Sequence, residues 1–145
     1  MIYTELTKKA TCIAFEAHKG QADKSCFQYI HYPLYLAEQM DSEDEVIIAL
    51  LHDVVEDTEW NFEALEREGF PQSVISTLKL LTHDDGCEYA EYTRHIKSNP
   101  LAVRVKVADL RHNSDSSRLS ALPLDIATRL QRKYSVAMEI LSEVL

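Results

Sequence analysis

Four ionisable side chains stand in an apolar tract in the middle of the chain: His52, Asp53, Glu56 and Asp57. The apolar pattern predicts one helix over residues 42–57, which would stack His52 over Glu56 and Asp53 over Asp57, one turn apart. Because unpaired charges are costly to bury, a divalent cation would compensate such carboxylates in a dry setting. The alternative is a helix end that emerges into solvent, with Glu56 and Asp57 hydrated. The residues alone leave both interpretations open.

A second group of polar residues follows about 50 positions later in the sequence. Asp109 and Asn113 are four positions apart and share a helical face with Lys106, so a carboxylate, an amide and an ammonium can point at one ligand. The alternative is a solvated helix face, with His112 as an exposed or hydrogen-bonded structural histidine. Spacing alone makes this group a weaker indication of a site than the first.

The elements that would position both groups are predicted to be helices. Each of the four prolines stands at or near the start of an apolar-periodic segment, where proline is favoured in helices: Pro33, Pro71, Pro100 and Pro123. Residues 103–107 alternate apolar and basic side chains, as a strand would. We favour a helix there, because nothing else in the chain offers a strand partner. The prediction is an all-α fold with helices near 4–20, 33–40, 42–57, 61–69, 71–82, 88–98, 100–119 and from 123 onward.

Length and composition suit one domain over residues 1–145, with 46% hydrophobic residues and a formal charge of −9. The excess of acidic charge works against nucleic-acid binding. Three cysteines at wide spacing predict reduced thiols rather than a disulfide framework. Because no apolar run is long enough to span a membrane and the N-terminus lacks the apolar centre of a secretory signal, we expect a cytoplasmic protein without membrane contact.

Four sequence tracts together resemble a known family: Ala17-His18-Lys19-Gly20-Gln21, Tyr29-Ile30-His31-Tyr32-Pro33, the stretch from Ala49 to Thr58, and the stretch from Lys106 to Asn113. They are similar to the hydrolase domain of RelA/SpoT-type alarmone enzymes and their small stand-alone relatives, within the HD superfamily of metal-dependent phosphohydrolases. The resemblance covers roughly residues 10–120. It implies a single HD-type helical bundle of about six to eight helices.

The resemblance also implies roles for particular residues. It assigns a divalent metal ion, usually manganese, to four ligands: His31, His52, Asp53 and Asp109. It gives Glu56 and Asp57 the task of positioning and activating the attacking water. It makes Asn113 a nucleotide contact and Lys24 a phosphate contact.

The chain departs from the family pattern in the second tract. The family places its histidine ligand directly before the proline, where this chain has Tyr32, and His31 stands one position earlier. On a helix a shift of one residue rotates the side chain by about 100°, whereas a loop can adjust. His31 is therefore either a metal ligand or a structural or exposed histidine. The preceding loop has Cys26 and Gln28 where relatives tend to carry glycine and proline.

The function implied by the resemblance is removal of pyrophosphate or phosphate from a nucleotide similar to guanosine 3′,5′-bis(diphosphate). The alternative is a catalytically degenerate HD-fold module that binds a nucleotide or a partner without turnover. The replacement of the family histidine by Tyr32 suggests this alternative. The expected partner is a small nucleotide or phosphate ester, and the sequence makes no prediction about oligomeric state.

Overall fold

A computed structural model describes residues 1–23 and 26–145, so the predicted phosphate contact Lys24 lies outside the described residues. Within these residues every regular element is a helix, and an isolated antiparallel bridge joins Ala22 to Gln28. The all-α prediction is confirmed. No helix in this part of the chain combines the length and apolar character that a bilayer crossing requires.

The described residues form two compact units, Met1–Thr82 and His83–Leu145. The helices of the first unit are α1 (Glu5–Ala17), α2 (His31–Glu38), α3 (Glu43–Leu51), α4 (Val54–Asp57), α5 (Phe62–Arg67) and α6 (Gln72–Leu81). Helix α3 is central, because every residue from Val46 to Leu51 is buried and because it packs against α1, α2 and α6. Its burial on all sides fixes the position of the residues that directly follow it.

Side-chain caps explain where several of these helices begin. The Thr4 side chain accepts from the Thr7 amide and that of Thr7 accepts from the Thr4 amide, which is a capping box at the start of α1. Ser42 accepts from the Glu45 amide at the start of α3, and Asn61 caps α5 in the same way. The polar residues before each apolar run therefore set the helix starts.

The predicted helix over residues 42–57 is wrong in one respect, because it breaks at His52 and Asp53. Helix α3 ends at Leu51 and α4 begins at Val54, and Asp53 between them has φ −104° and ψ −1°, at the edge of the right-handed helical region. The Nδ1 atom of His52 lies within hydrogen-bond distance of the Ala49 carbonyl oxygen, at 2.7 Å. In a continuing helix that oxygen would accept from a backbone amide, so the ring competes with the helical hydrogen bond. The Asp57 amide still donates to the Asp53 carbonyl oxygen at 3.0 Å, so Asp53 and Asp57 remain one turn apart across the break.

The second unit contains α7 (Tyr89–Ile96), α8 (Pro100–Asn113), α9 (Ser116–Leu119) and α10 (Leu124–Ser142). The alternating tract lies within α8 and is helical, as predicted. Asn99 caps this helix by accepting from the Leu101 and Ala102 amides, and Pro100 occupies the first turn. The predicted single helix over 100–119 ends earlier, at Asn113, and a short turn, α9, follows it. Helix α10 packs against α7 and α8.

Candidate active site

His52 and Asp53 lie at the break between α3 and α4. The His52 side chain is buried, and its Nδ1 lies 2.7 Å from the Ala49 carbonyl oxygen. Because a carbonyl can only accept, this contact assigns a proton to Nδ1 and leaves Nε2 with a lone pair in the neutral ring. That Nε2 lies 3.1 Å from Asp53 Oδ2. Two acceptor atoms therefore face each other, and a cation or a proton between them would relieve the repulsion.

The donor set at this position fits a divalent metal ion. Two ligand atoms bound at about 2.1 Å and at right angles to each other lie about 3 Å apart, which matches the separation of His52 Nε2 and Asp53 Oδ2. A backbone carbonyl that fixes the other ring nitrogen is also the usual support of a metal-binding histidine. Within residues 1–23 and 26–145, no three His, Cys, Asp or Glu side chains form a complete metal-binding group. The separation of His52 Nε2 and Asp53 Oδ2 is thus compatible with two adjacent positions of one coordination shell.

Tyr29 is a site residue that sequence reasoning missed. Its hydroxyl donates a short hydrogen bond to Asp53 Oδ2, the same oxygen that faces His52. Its ring lies between two others, with centroids 4.8 Å from His18 and 5.9 Å from Tyr32. Tyr29 therefore orients the Asp53 carboxylate from a packed position. The signal in the sequence was the place of Tyr29 in the tract Tyr29-Ile30-His31-Tyr32-Pro33, from which His31 was chosen as the candidate ligand.

A buried histidine, His18, and a half-buried glutamine, Gln21, support the site next to Tyr29. His18 Nδ1 lies 2.9 Å from Gln21 Oε1, and Gln21 Nε2 donates to the Asp57 carbonyl oxygen at 3.2 Å. This arrangement assigns the His18 proton to Nδ1, so its Nε2 is an acceptor. Among the described residues that buried Nε2 has no hydrogen-bond partner. The loop after α1 is thereby tied to the end of α4.

Glu56 and Asp57 lie on α4 and are exposed. Burial of part of the Asp57 carboxyl raises its pKa, and the negative charge of Asp53 raises it further, while His18 and His52 act in the opposite direction. Asp57 therefore belongs to the same electrostatic group as Asp53 and His52. A carboxylate with a raised pKa is a better proton acceptor at neutral pH than an ordinary one.

The structure places Tyr32, not His31, against His52. Helix α2 begins at His31, two residues before the predicted start at Pro33, and His31 is exposed. The Tyr32 ring meets the His52 ring edge to face, with centroids 5.7 Å apart. Because a rotation of about 100° separates neighbours on a helix, the two side chains point in different directions. His31 as a metal ligand stays a prediction.

The loop before α2 contains a strained residue. Cys26, at the position where relatives tend to carry glycine, has a φ of +67°, in the left-handed region that side chains with a Cβ rarely adopt. The Asp23 carboxylate accepts from the Phe27 amide at 3.0 Å and holds the turn in place. Cys26 therefore occupies a backbone conformation that glycine adopts without strain.

The predicted group of Lys106, Asp109 and Asn113 does share one face of α8. Lys106 Nζ lies 3.0 Å from Asp109 Oδ2, and Asn113 Nδ2 donates to Asp109 Oδ1 at 2.9 Å. Asp109 is only 8% exposed, so the solvated-face alternative is wrong for this residue. The ammonium of Lys106 also lies over two aromatic rings, 5.4 Å from the centroid of Tyr89 and 5.3 Å from that of Tyr92.

Burial raises the pKa of Asp109 to about 7, although the Asn113 hydrogen bond and the charges of Arg118 and Lys133 act in the opposite direction. A carboxyl group with this pKa exchanges its proton near neutral pH, and a bound cation would displace that proton. His52 and Asp53 belong to the first unit and Asp109 to the second.

Comparison with known proteins supports the family resemblance. The chain is 31% identical over 124 residues to a GTP pyrophosphokinase of Streptomyces coelicolor, an alignment that covers 77% of this chain and 14% of that protein. It is 30% identical over 140 residues to a probable guanosine-3′,5′-bis(diphosphate) 3′-pyrophosphohydrolase of Synechocystis, covering 86% of this chain and 18% of that protein. The chain therefore spans less than a fifth of the length of these relatives. No protein-family model matches it.

A solved structure shares the fold. It is that of a metazoan SpoT ortholog described as hydrolysing ppGpp, with a TM-score of 0.79 and 21% sequence identity over 97% of this chain and 88% of that one. The resemblance of this chain to the hydrolase domain of RelA/SpoT-type enzymes, first indicated by its four sequence tracts, is confirmed.

Proposed function

We propose that the chain is a divalent-metal-dependent phosphohydrolase that removes pyrophosphate from the 3′ position of a guanosine 3′,5′-bis(diphosphate)-like nucleotide. The observation that carries the proposal is the pair of His52 Nε2 and Asp53 Oδ2, which lie 3.1 Å apart with both atoms suited to one cation. The substrate is inferred from the Synechocystis relative, whose name specifies this reaction.

The proposed metal ligands are His52, Asp53 and Asp109, with His31 as the predicted fourth, and manganese is the proposed ion. When bound, such an ion polarises a phosphoryl oxygen and makes water more acidic. The chain contributes orientation to this chemistry. Ala49 fixes the tautomer of His52, and Tyr29 holds the carboxylate of Asp53.

Glu56 and Asp57 are the proposed residues that orient the attacking water and accept its proton. Both lie on α4, which begins directly after Asp53, so the same buried helix end positions them. The raised pKa of Asp57 suits a proton acceptor. Asn113 is the proposed nucleotide contact in the second unit, and Lys24 is the proposed phosphate contact.

The test is to incubate the full chain with manganese and guanosine 3′,5′-bis(diphosphate). Release of pyrophosphate is measured by ion-exchange chromatography of the nucleotide products. We expect Glu56→Gln to abolish turnover while the protein still binds manganese in a calorimetric titration. Asp53→Ala should abolish both. Glu59→Gln, which changes an exposed carboxylate just beyond α4, is the matched control and should leave both unchanged.

Turnover that survives Glu56→Gln contradicts the proposed role of that residue. A wild-type protein that binds manganese and the nucleotide but releases no pyrophosphate contradicts the proposed enzyme. That result would favour the second candidate, a module that binds nucleotide without turnover. The structural basis for this candidate is the packing of the Tyr32 ring against His52.

A further inference from the structure

A pocket of about 470 Å³ lies entirely within the second unit, between the start of α7 and the first half of α10. Its lining residues all belong to the second unit, whereas His52 and Asp53 belong to the first. Its volume lies in the range of small-molecule sites in proteins. The side chains that give the pocket its charge are Arg129, Arg132, Lys133, Glu88 and Asp125.

Three cationic side chains converge on this pocket. On α10, Arg132 and Lys133 follow Arg129 by three and four positions. All three side chains therefore project from one face of the helix. Within the described part of the chain, neither guanidinium takes part in an ion pair. Lys133 Nζ lies 4.2 Å from the centroid of Tyr89, which holds this charge at the pocket wall. Such a concentration of positive charge is notable in a chain whose formal charge is −9.

The chemistry of the lining favours a phosphate-bearing ligand. Two guanidinium groups present forked donors that match phosphate oxygens. The Thr128 hydroxyl donates to the Leu124 carbonyl oxygen at 2.8 Å, so its proton does not serve a phosphate. The carboxylates of Glu88 and Asp125 would accept from the donors of a nucleobase, and these hydrogen bonds would offset their repulsion of the phosphates.

We propose that this pocket binds the diphosphate group of a nucleotide, with Arg129 and Arg132 as its phosphate contacts. Tyr89 connects the pocket to the Lys106 and Asp109 pair, because its ring lies 5.4 Å from Lys106 Nζ. The diphosphate comes either from the 5′ end of the substrate, in which case the site rests on the proposed function, or from a separate effector nucleotide.

The direct test is calorimetric titration of the metal-stripped full chain with GDP, and with inorganic pyrophosphate, in the presence of a chelator. We expect the double variant Arg129→Gln/Arg132→Gln to bind GDP at least about tenfold more weakly than the wild type. Both side chains are exposed, so the variant should fold, and circular dichroism checks this. Arg67→Gln, at an exposed arginine in the last turn of α5, is the matched control and should bind as the wild type does.

Equal GDP affinities of the wild type and the double variant would overturn the proposal. So would a wild type that binds neither GDP nor pyrophosphate at millimolar concentration. Because the titration needs neither metal nor turnover, its outcome does not depend on whether the chain proves to be a hydrolase. Hydrolysis with no arginine-dependent binding would leave the proposed function intact and refute the pocket alone.

Steady-state kinetics then distinguishes the two sources of the diphosphate. If the pocket holds the substrate's own 5′ group, the double variant should raise KM about tenfold and leave kcat unchanged. If it holds a separate nucleotide, KM should be unchanged, and the response of the hydrolysis rate to added GDP should disappear in the variant. Both results support binding at the pocket, and a variant with wild-type KM and wild-type response to GDP contradicts it.

Discussion

Replacing Tyr32 by histidine should restore the ligand that the family places directly before the proline. The ring centroids of Tyr32 and His52 are 5.7 Å apart. Two imidazoles that bind one ion through bonds of about 2.1 Å hold their centroids roughly 5 Å apart, so a histidine at position 32 would need only a small displacement. Changes among groups that merely support a metal site alter affinity about 10–100-fold. An added direct ligand should therefore tighten manganese binding at least about tenfold, or about 1.4 kcal/mol.

The assay is calorimetric titration of the metal-stripped protein with manganese, on the wild type and Tyr32→His side by side. Tyr32→Phe is the matched control, because it keeps the ring against His52 and removes only the hydroxyl, and it should bind as the wild type does. Asp53→Ala, in the Tyr32→His background, should remove the gain. The reasoning is refuted if Tyr32→His binds manganese no more tightly than the wild type.

Three further predictions concern the support of the site. Tyr29→Phe should weaken manganese binding about tenfold, because the Asp53 carboxylate loses the hydroxyl that orients it, and an unchanged affinity in the same titration would count against this role. Cys26→Gly should raise the free energy of unfolding by about 1 kcal/mol, because glycine adopts the left-handed conformation without strain; urea denaturation measures this, and a lower midpoint would contradict it. In the metal-free protein, the carboxyl carbon of Asp109 should titrate by NMR near pH 7 rather than near 3.8. Since the folded state holds this proton more tightly than the unfolded state, the contribution of Asp109 to stability should fall as the pH rises from about 4 to about 7. An NMR titration midpoint near pH 4 would refute this prediction.

The sequence predicted the helical class and most helix starts, because those depend on local chemistry. Asn99 and Pro100 mark the start of α8 in the sequence as clearly as they do in the structure. The group of Lys106, Asp109 and Asn113 was likewise predictable, since residues three and four apart on a helix share a face.

The sequence did not predict the break between α3 and α4. Apolar periodicity continues through His52 and Asp53, and the break depends on a ring nitrogen taking a backbone carbonyl, which no spacing reveals. The contact between Tyr29 and Asp53 joins residues 24 positions apart and depends on how the loop before α2 folds. The orientation of His31 and Tyr32 depended on whether α2 began two residues before Pro33 or at it.

Helix α10 has a consequence for local unfolding. Within this helix, which the structure describes throughout, only Ala137 and Leu141 are buried, and both lie in its second half. The first half, which carries Arg129 and Arg132, lacks buried anchors, so its backbone amides should open with a smaller free energy than those near Leu141. Hydrogen exchange in the free protein should therefore be faster over residues 126–133 than over 137–142. A ligand that bridges the two arginines would slow exchange in the first half, and the wall of the pocket would then be ordered by what it binds.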